Sequence, residues 1–162
     1  MRNNQPVTQH EVELGDDELI FSKTDLNGNI ALINHTFVKI SGFSAAELLG
    51  KPHNVVRHPD MPSEAYADLW ENLKAGRPWA GLVKNRCKNG DYYWVVANAT
   101  PIFDNGKVIT YMSIRHKPTR EQIEAAGQAY LLFREGKAKG LRIYQGRVVK
   151  ANLTWRIKKH VT

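Results

Sequence analysis

The sequence predicts an α+β domain built on a five-stranded antiparallel sheet with short helices on one face. Three observations carry this. Strand-like and helix-like runs are segregated along the chain: two strands, several short helices, one longer helix, three strands, then a tail. Such segregation fits α+β and not the alternation of a parallel sheet. Turn signals at Asp25-Leu26-Asn27-Gly28-Asn29, Lys88-Asn89-Gly90-Asp91 and Asp104-Asn105-Gly106 join the strands as hairpins. The 162 residues, 42% apolar and 24% charged, suit one soluble domain that buries a core without disulfides or metal.

Each element has a local reason. Residues 1–18 are polar without a sustained period and read as an extended N-terminal cap. Leu19–Thr24 and Ile30–Ile33 form the first hairpin. Asn34 can cap a helix over His35–Ser41 by accepting a backbone N–H near Phe37, and Gly42 can end it. Ser44 and Glu47 have capping-box spacing for a second helix, Ala45–Leu49. His53–Asp60 is irregular with room for one helical turn, and Pro59 and Pro62 bracket a break. Ser63 is the expected N-cap of Glu64–Ala75, where Tyr66, Leu69, Trp70 and Leu73 fall at helical spacing on one face.

From Trp79 the period becomes strand-like: Gly81–Cys87, Tyr92–Phe103 and Lys107–His116. Alternation puts Asn85 with Val83 and Cys87, and puts Trp94 and Asn98 opposite Val95 and Ala97, where they are expected to meet the N-terminal cap or a partner. Thr119 caps Arg120–Glu135. Leu141–Lys150 is a short hairpin around Gly146, and Leu153–Val161 begins a basic helix.

Charge is uneven. The net charge is +7, yet Arg134–His160 alone holds nine Lys/Arg against one acid. This tail reads either as a surface for anionic partners or as a solvated linker. The single cysteine, Cys87, excludes an intramolecular disulfide and any multi-cysteine zinc site. No apolar run reaches the roughly 18 residues of a membrane span. There is no dinucleotide fingerprint, P-loop or zinc-protease motif, and no catalytic base, nucleophile or metal ligand set is assigned, so the chain is expected not to be an enzyme.

The element order, together with Asn34-His35-Thr36-Phe37, Ser41-Gly42-Phe43, Glu47-Leu48-Leu49-Gly50-Lys51-Pro52 and Lys88-Asn89-Gly90-Asp91-Tyr92-Tyr93-Trp94, resembles the PAS family over about residues 19–117. The stretch Pro52–Pro62, with Trp70, Lys84-Asn85-Arg86 and Tyr111–Arg115, is similar to the aerotaxis receptor family. That resemblance implies a non-covalent FAD whose redox state is passed to a membrane-anchored HAMP and signalling region. It also implies a dimeric receptor, a chemotaxis histidine kinase with its coupling protein, and a place on the cytoplasmic side of the bacterial inner membrane. Residues 118–162 would be the linker toward a HAMP region and anchor that this chain lacks.

The resemblance implies a cofactor site of Trp70, Arg57, His58, Asp60, His53, Asn34, Asn85, Trp79 and Arg115. Trp70 would line the flavin ring, or simply pack in the core. Arg57 would hold phosphate or pair with Asp60, and His58 would bond the cofactor; otherwise the three form a surface loop. His53 and Asn54 stand where blue-light photoreceptors of similar layout place a reactive cysteine and an arginine, which argues against a cysteinyl adduct. Asn85 and Arg115 would present polar groups to the ring, where a cation favours the reduced, more negative form. Asn34 has a helix-capping alternative, and Trp79 would cover one end of the pocket or begin a strand. Rival readings are a PAS module with haem or another ligand, a cofactor-free dimerisation module, a nucleic-acid binder using the tail, and a small flavoenzyme. No histidine lies within Glu64–Ala75, which counts against haem.

Overall fold

The computed structural model describes residues 4–151. One antiparallel sheet has the order β2–β1–β5–β4–β3. Its strands are β1 (Ile20–Thr24), β2 (Ile30–Ile33), β3 (Trp79–Arg86), β4 (Tyr92–Asp104) and β5 (Lys107–His116). The hairpin turns fall where Asn-Gly chemistry places them. Asn105 and Gly106 both take positive φ, 50° and 77°, the geometry that matches the twist of the flanking strands.

Helices α1 (His35–Ser41), α2 (Ala45–Leu48) and α3 (Ser63–Lys74), with a 3-10 turn at His53–Val56, cover one face of the sheet. Asn34 caps α1 by accepting the Phe37 N–H at 3.3 Å, and Gly42 closes it at φ 74°. Both halves of the Ser44–Glu47 capping box form. Ser63 does not cap α3. Pro62 occupies that position with extended backbone, and the Ser63 hydroxyl turns instead to Glu64 at 3.5 Å. Proline supplies the fixed φ a helix start needs and has no N–H to leave unpaired there.

Helix α4 (Arg120–Arg134), capped by Thr119 and Gln122, lies on the opposite face. Tyr130 stacks on Trp94 at 6.3 Å and donates to the Leu82 carbonyl at 2.7 Å. Trp94 thus faces away from Val95 as alternation requires, and helix α4 packs over it. Asn98 on the same face is exposed.

The N-terminal segment runs beside the β3–β4 turn: Thr8 N–H donates to Gly90 O at 2.9 Å and Val12 N–H to Tyr92 O at 2.7 Å. Leu14 enters the core beside Ile20, Phe37, Leu48, Val56 and Val95. Beyond α4, β6 (Leu141–Tyr144) and β7 (Arg147–Lys150) form a separate hairpin turning at Gln145-Gly146. The basic helix expected at Leu153–Val161 lies outside the described residues. Among the described residues, no helix is long and apolar enough to cross a membrane.

Candidate functional site

A cavity of about 280 Å³ opens between α3, the 3-10 turn and the sheet. Strand alternation builds its floor. Ser22 and Thr24 of β1, Tyr111, Ser113 and Arg115 of β5, Ala97 and Ala99 of β4, and Val83 and Asn85 of β3 all face inward. The small side chains of Ala97 and Ala99 leave the room. Leu69, Trp70 and Leu73 of α3 supply an apolar wall. Trp70 meets Tyr111 edge-on at 5.5 Å. Its indole also reaches the β1–β2 turn at Gly28, where a Cβ would lie 3.2 Å from the ring and where φ is 83°. Helix and turn are thereby closed over one side of the cavity.

The polar end is built around Arg115, which is 3% exposed. Its Nη2 donates to Ser22 Oγ at 2.6 Å and its Nη1 to His53 Nε2 at 2.9 Å. The guanidinium lies 4.8 Å from the Phe37 ring centroid. Its Nε has no hydrogen-bond partner within the protein. No ion pair to Arg115 exists among the described residues. Burial pushes the guanidinium down to about 10. Burial, then the charge of Arg115, pushes the His53 imidazole down to about 3, so it is neutral. The nearby Tyr93 phenol is raised by burial and is no counter-ion.

Arg57 and Asn85 form a backbone bridge at the cavity edge. The Arg57 guanidinium sits 3.5 Å from the centroid of the Tyr66 ring, whose phenol burial pushes up to about 12. Asn4 holds this edge from outside: its Nδ2 donates to the carbonyls of Asn54, Val55 and Arg57 at 3.1, 3.3 and 2.8 Å.

Of the nine residues singled out in the sequence, the structure brings Trp70, Arg57, His53, Asn85 and Arg115 to the cavity. It does not bring Asn34, His58, Asp60 or Trp79 there. Asn34 is occupied as a cap: besides Phe37 it accepts from Phe21 N–H at 3.0 Å and donates to Leu19 O at 2.8 Å. Asp60 pairs with Lys84 at 2.8 Å and Arg134 at 2.6 Å, not with Arg57. Burial alone would raise its carboxyl, but these cations and His58 outweigh it and hold it low. His58 is buried edge-on to Tyr92, accepts the Asp60 N–H at 3.0 Å on Nδ1, and is pushed down to about 4 mainly by burial. Trp79 donates from Nε1 to Asp68 at 2.7 Å. Cys87 donates to the Ile40 carbonyl at 3.2 Å, and burial pushes its thiol up to about 11.

Sequence reasoning does not single out Ser22, Tyr66, Tyr111 or Asp68. Ser22 carried a signal: it is the hydroxyl at the centre of a strand whose inward positions are Ile20, Ser22 and Thr24.

An antiparallel sheet with helices arched over an interior cavity, polar at one end and aromatic at the other, defines an α+β module with a pocket between its helices and its sheet. The PAS fold family matches residues 30–115, and the chain belongs to it. Over 150 residues, 93% of this chain, it is 49% identical to the aerotaxis receptor of Escherichia coli strain K12, covering 29% of that protein. It is 32% identical over 141 residues to the biofilm dispersion protein BdlA of Pseudomonas aeruginosa, covering 78% of this chain and 33% of that one. The chain thus spans about a third or less of these relatives. Among solved structures it resembles a light-oxygen-voltage domain studied with a flavin analogue: TM-score 0.61, 19% identity, 74% of this chain and 89% of that one. It also resembles the blue-light photoreceptor Aureochrome1 LOV in its light state, at TM-score 0.60 and 18% identity over 72% of this chain and 90% of that one. At those identities the likeness is one of fold.

Proposed function

We propose that the chain is a FAD-binding PAS sensor of redox state, oxygen or energy in aerotaxis signalling, with residues 1–18 as cap, 19–117 as sensor and 118–162 as linker. The observation that carries this is Arg115. A buried guanidinium without a carboxylate costs several kcal/mol. It is retained where an electron-rich group comes to meet it. The unpartnered Nε supplies the free donor for such a group.

The remaining walls fit a planar aromatic ring. The volume lies just below the usual range of about 300–1,000 Å³, room for a ring system but not for a whole dinucleotide. Leu69, Leu73 and Val83 exclude water, and Trp70 and Tyr111 give aromatic contact. Asn85 supplies an amide at one edge and Arg57 a second cation suited to phosphate. Among flavins, FAD is the one implied by the resemblance of Pro52–Pro62, Trp70 and Tyr111–Arg115 to the aerotaxis receptor family.

Flavin, when bound, supplies reversible electron transfer. The chain's part is electrostatic and mechanical. Arg115 holds positive charge at the cavity wall and thereby favours the more negative form of whatever lies against it. Neutral His53 and the Ser22 hydroxyl keep that charge in place. Two ligand states bias the output only by differing in their contacts with these groups. In this reading the difference is read by a HAMP and signalling domain of a dimeric receptor at the cytoplasmic side of the bacterial inner membrane, upstream of a chemotaxis histidine kinase and its coupling protein. No nucleic-acid role is assigned to the basic tail.

The test is an absorption spectrum of the purified protein with the released chromophore identified. Bands near about 370 and 450 nm with FAD released are expected. A Soret band would transfer the site to haem. A colourless protein that takes up no added FAD would overturn the reading.

A further inference from the structure

Helix α3 has two working faces. Tyr66, Leu69, Trp70 and Leu73 line the cavity. Asp68 and Asn72 are also buried, at 6% and 3% exposure, but contribute nothing to it. The Asp68 carboxylate accepts four N–H groups. On Oδ2 these are Trp79 Nε1 at 2.7 Å and Gly146 N at 2.7 Å. On Oδ1 they are Gln145 N at 3.0 Å and Asn72 Nδ2 at 3.2 Å. Four donors use the whole accepting capacity of an ionised carboxylate.

Two of those donors are consecutive backbone amides at the tip of the β6–β7 hairpin, 77 and 78 residues further along the chain. The tip is shaped for this seat. Gly146 has φ 78°, and a Cβ there would run into the carbonyl of Ala80 and lie 3.0 Å from Gly81 Cα. The hairpin is therefore docked on α3 and the start of β3 at once, and Asp68 is the common anchor.

We infer that Asp68 is a positioning residue that latches the Leu141–Lys150 hairpin to the cavity wall, so that occupancy of the cavity and docking of the hairpin are linked. The inference rests on the flavin reading above. Backbone N–H···O bonds weaken steeply beyond about 3.2–3.5 Å. A displacement of α3 by about 1 Å relative to β3 and the hairpin seated on it therefore stretches the bonds from Trp79, Gln145 and Gly146, while the Asn72 bond, made within α3, is unaffected. Trp70 lies two residues from Asp68 on the same helix, so a ligand against the indole acts on the latch through one rigid element. Linkage is reciprocal: if cavity occupancy tightens the hairpin, freeing the hairpin weakens cavity binding by the same factor.

The experiment combines amide hydrogen exchange over residues 141–150 of the 162-residue chain, with and without saturating FAD, with the FAD affinity of Asp68→Asn and Gly146→Ala. Saturating FAD is expected to slow exchange of the hairpin amides at least about five-fold, and each variant to weaken FAD binding by about five-fold or more. The absorption bands of flavin bound to Gly146→Ala should stay at their wild-type positions, because that residue touches no cavity side chain. Hairpin exchange indifferent to FAD, or wild-type affinity in both variants, would overturn the latch. If Asp68→Asn does not fold, Gly146→Ala and the wild-type exchange decide. A wild-type protein that takes up no FAD removes the flavin reading and the inference with it, so the two failures are told apart by the wild type alone.

Discussion

Nη1 of Arg115 donates to Nε2 of His53 over 2.9 Å. This contact fixes the state of the imidazole. An imidazolium has N–H on both nitrogens and no lone pair for a guanidinium, so His53 is the neutral tautomer with its proton on Nδ1. Arg115 therefore keeps its full positive charge at the cavity instead of sharing it with a second cation or losing it to a carboxylate.

From this follows the sign of an effect on redox potential. Arg115→Gln keeps a hydrogen-bonding group at the wall and removes the charge. An interaction of about 1–3 kcal/mol with the more negative reduced flavin is then lost. The two-electron midpoint potential should fall by roughly 20–60 mV, read by spectroelectrochemical titration, while Arg115→Lys should fall less. An unchanged or raised potential in Arg115→Gln would contradict the electrostatic role.

The same neutrality makes the fold acid-sensitive. His53 and His58 are pushed down to about 3 and about 4, against about 6.5 in an unfolded chain. Between those values the unfolded state binds more protons, so stability is fully present above about pH 6.5 and is lost as pH falls through the window toward each folded value. At pH 5 the loss is about 2 kcal/mol per imidazole. Urea denaturation at pH 7 and pH 5 should show it. His53→Gln should lose about half the pH dependence, whatever it does to stability at pH 7.

Most of the fold was legible because its signals are local. The turn pairs, the Ser44–Glu47 box and the Asn34 cap act within four residues of themselves, and strand alternation puts Asn85 on one face with Val83, whereas Arg115 is pointed to by the family resemblance and not by alternation. The start of α3 was misplaced by one residue because serine is a common cap and proline gives the same backbone without a side-chain bond. The site was only half legible because the competing partners are remote. Asp60 is claimed by Arg134, 74 residues away. Trp79 is claimed by Asp68, which in sequence is one polar residue on an amphipathic helix. Ser22 carried only the signal of a hydroxyl at an inward strand position, and its partners Arg115 and His53 are 93 and 31 residues away.

Trp70 tests the wall. It touches Gly28 and Tyr111 across the cavity, and Trp70→Ala opens that side. Trp70→Ala should weaken FAD binding at least about ten-fold, or about 1.4 kcal/mol. Trp70→Phe, which keeps an aromatic face, should retain most of the affinity. Equal retention in both, measured by fluorescence titration, would place the ring elsewhere.

Asn4 tests the edge from outside. One side-chain amide donates to three carbonyls of the segment that carries His53, Asn54 and Arg57. An amide has only two N–H groups, so the bonds to Arg57 at 2.8 Å and Asn54 at 3.1 Å carry most of the weight. Asn4→Ala removes the donor: the Asn54 carbonyl keeps the Arg57 N–H at 3.0 Å, but the bond to the Arg57 carbonyl is lost, a cost of about 1–3 kcal/mol. Asn4→Asp is nearly isosteric but turns oxygen toward oxygen, so it should be the more destabilising of the two. If the contact merely fills space, the order reverses, because aspartate fills the site and alanine does not. Urea midpoints for the two variants decide between donation and packing. A faster loss of bound FAD in both, relative to wild type, would tie the N-terminal segment to the cavity, since the turn that Asn4 holds is one of its walls.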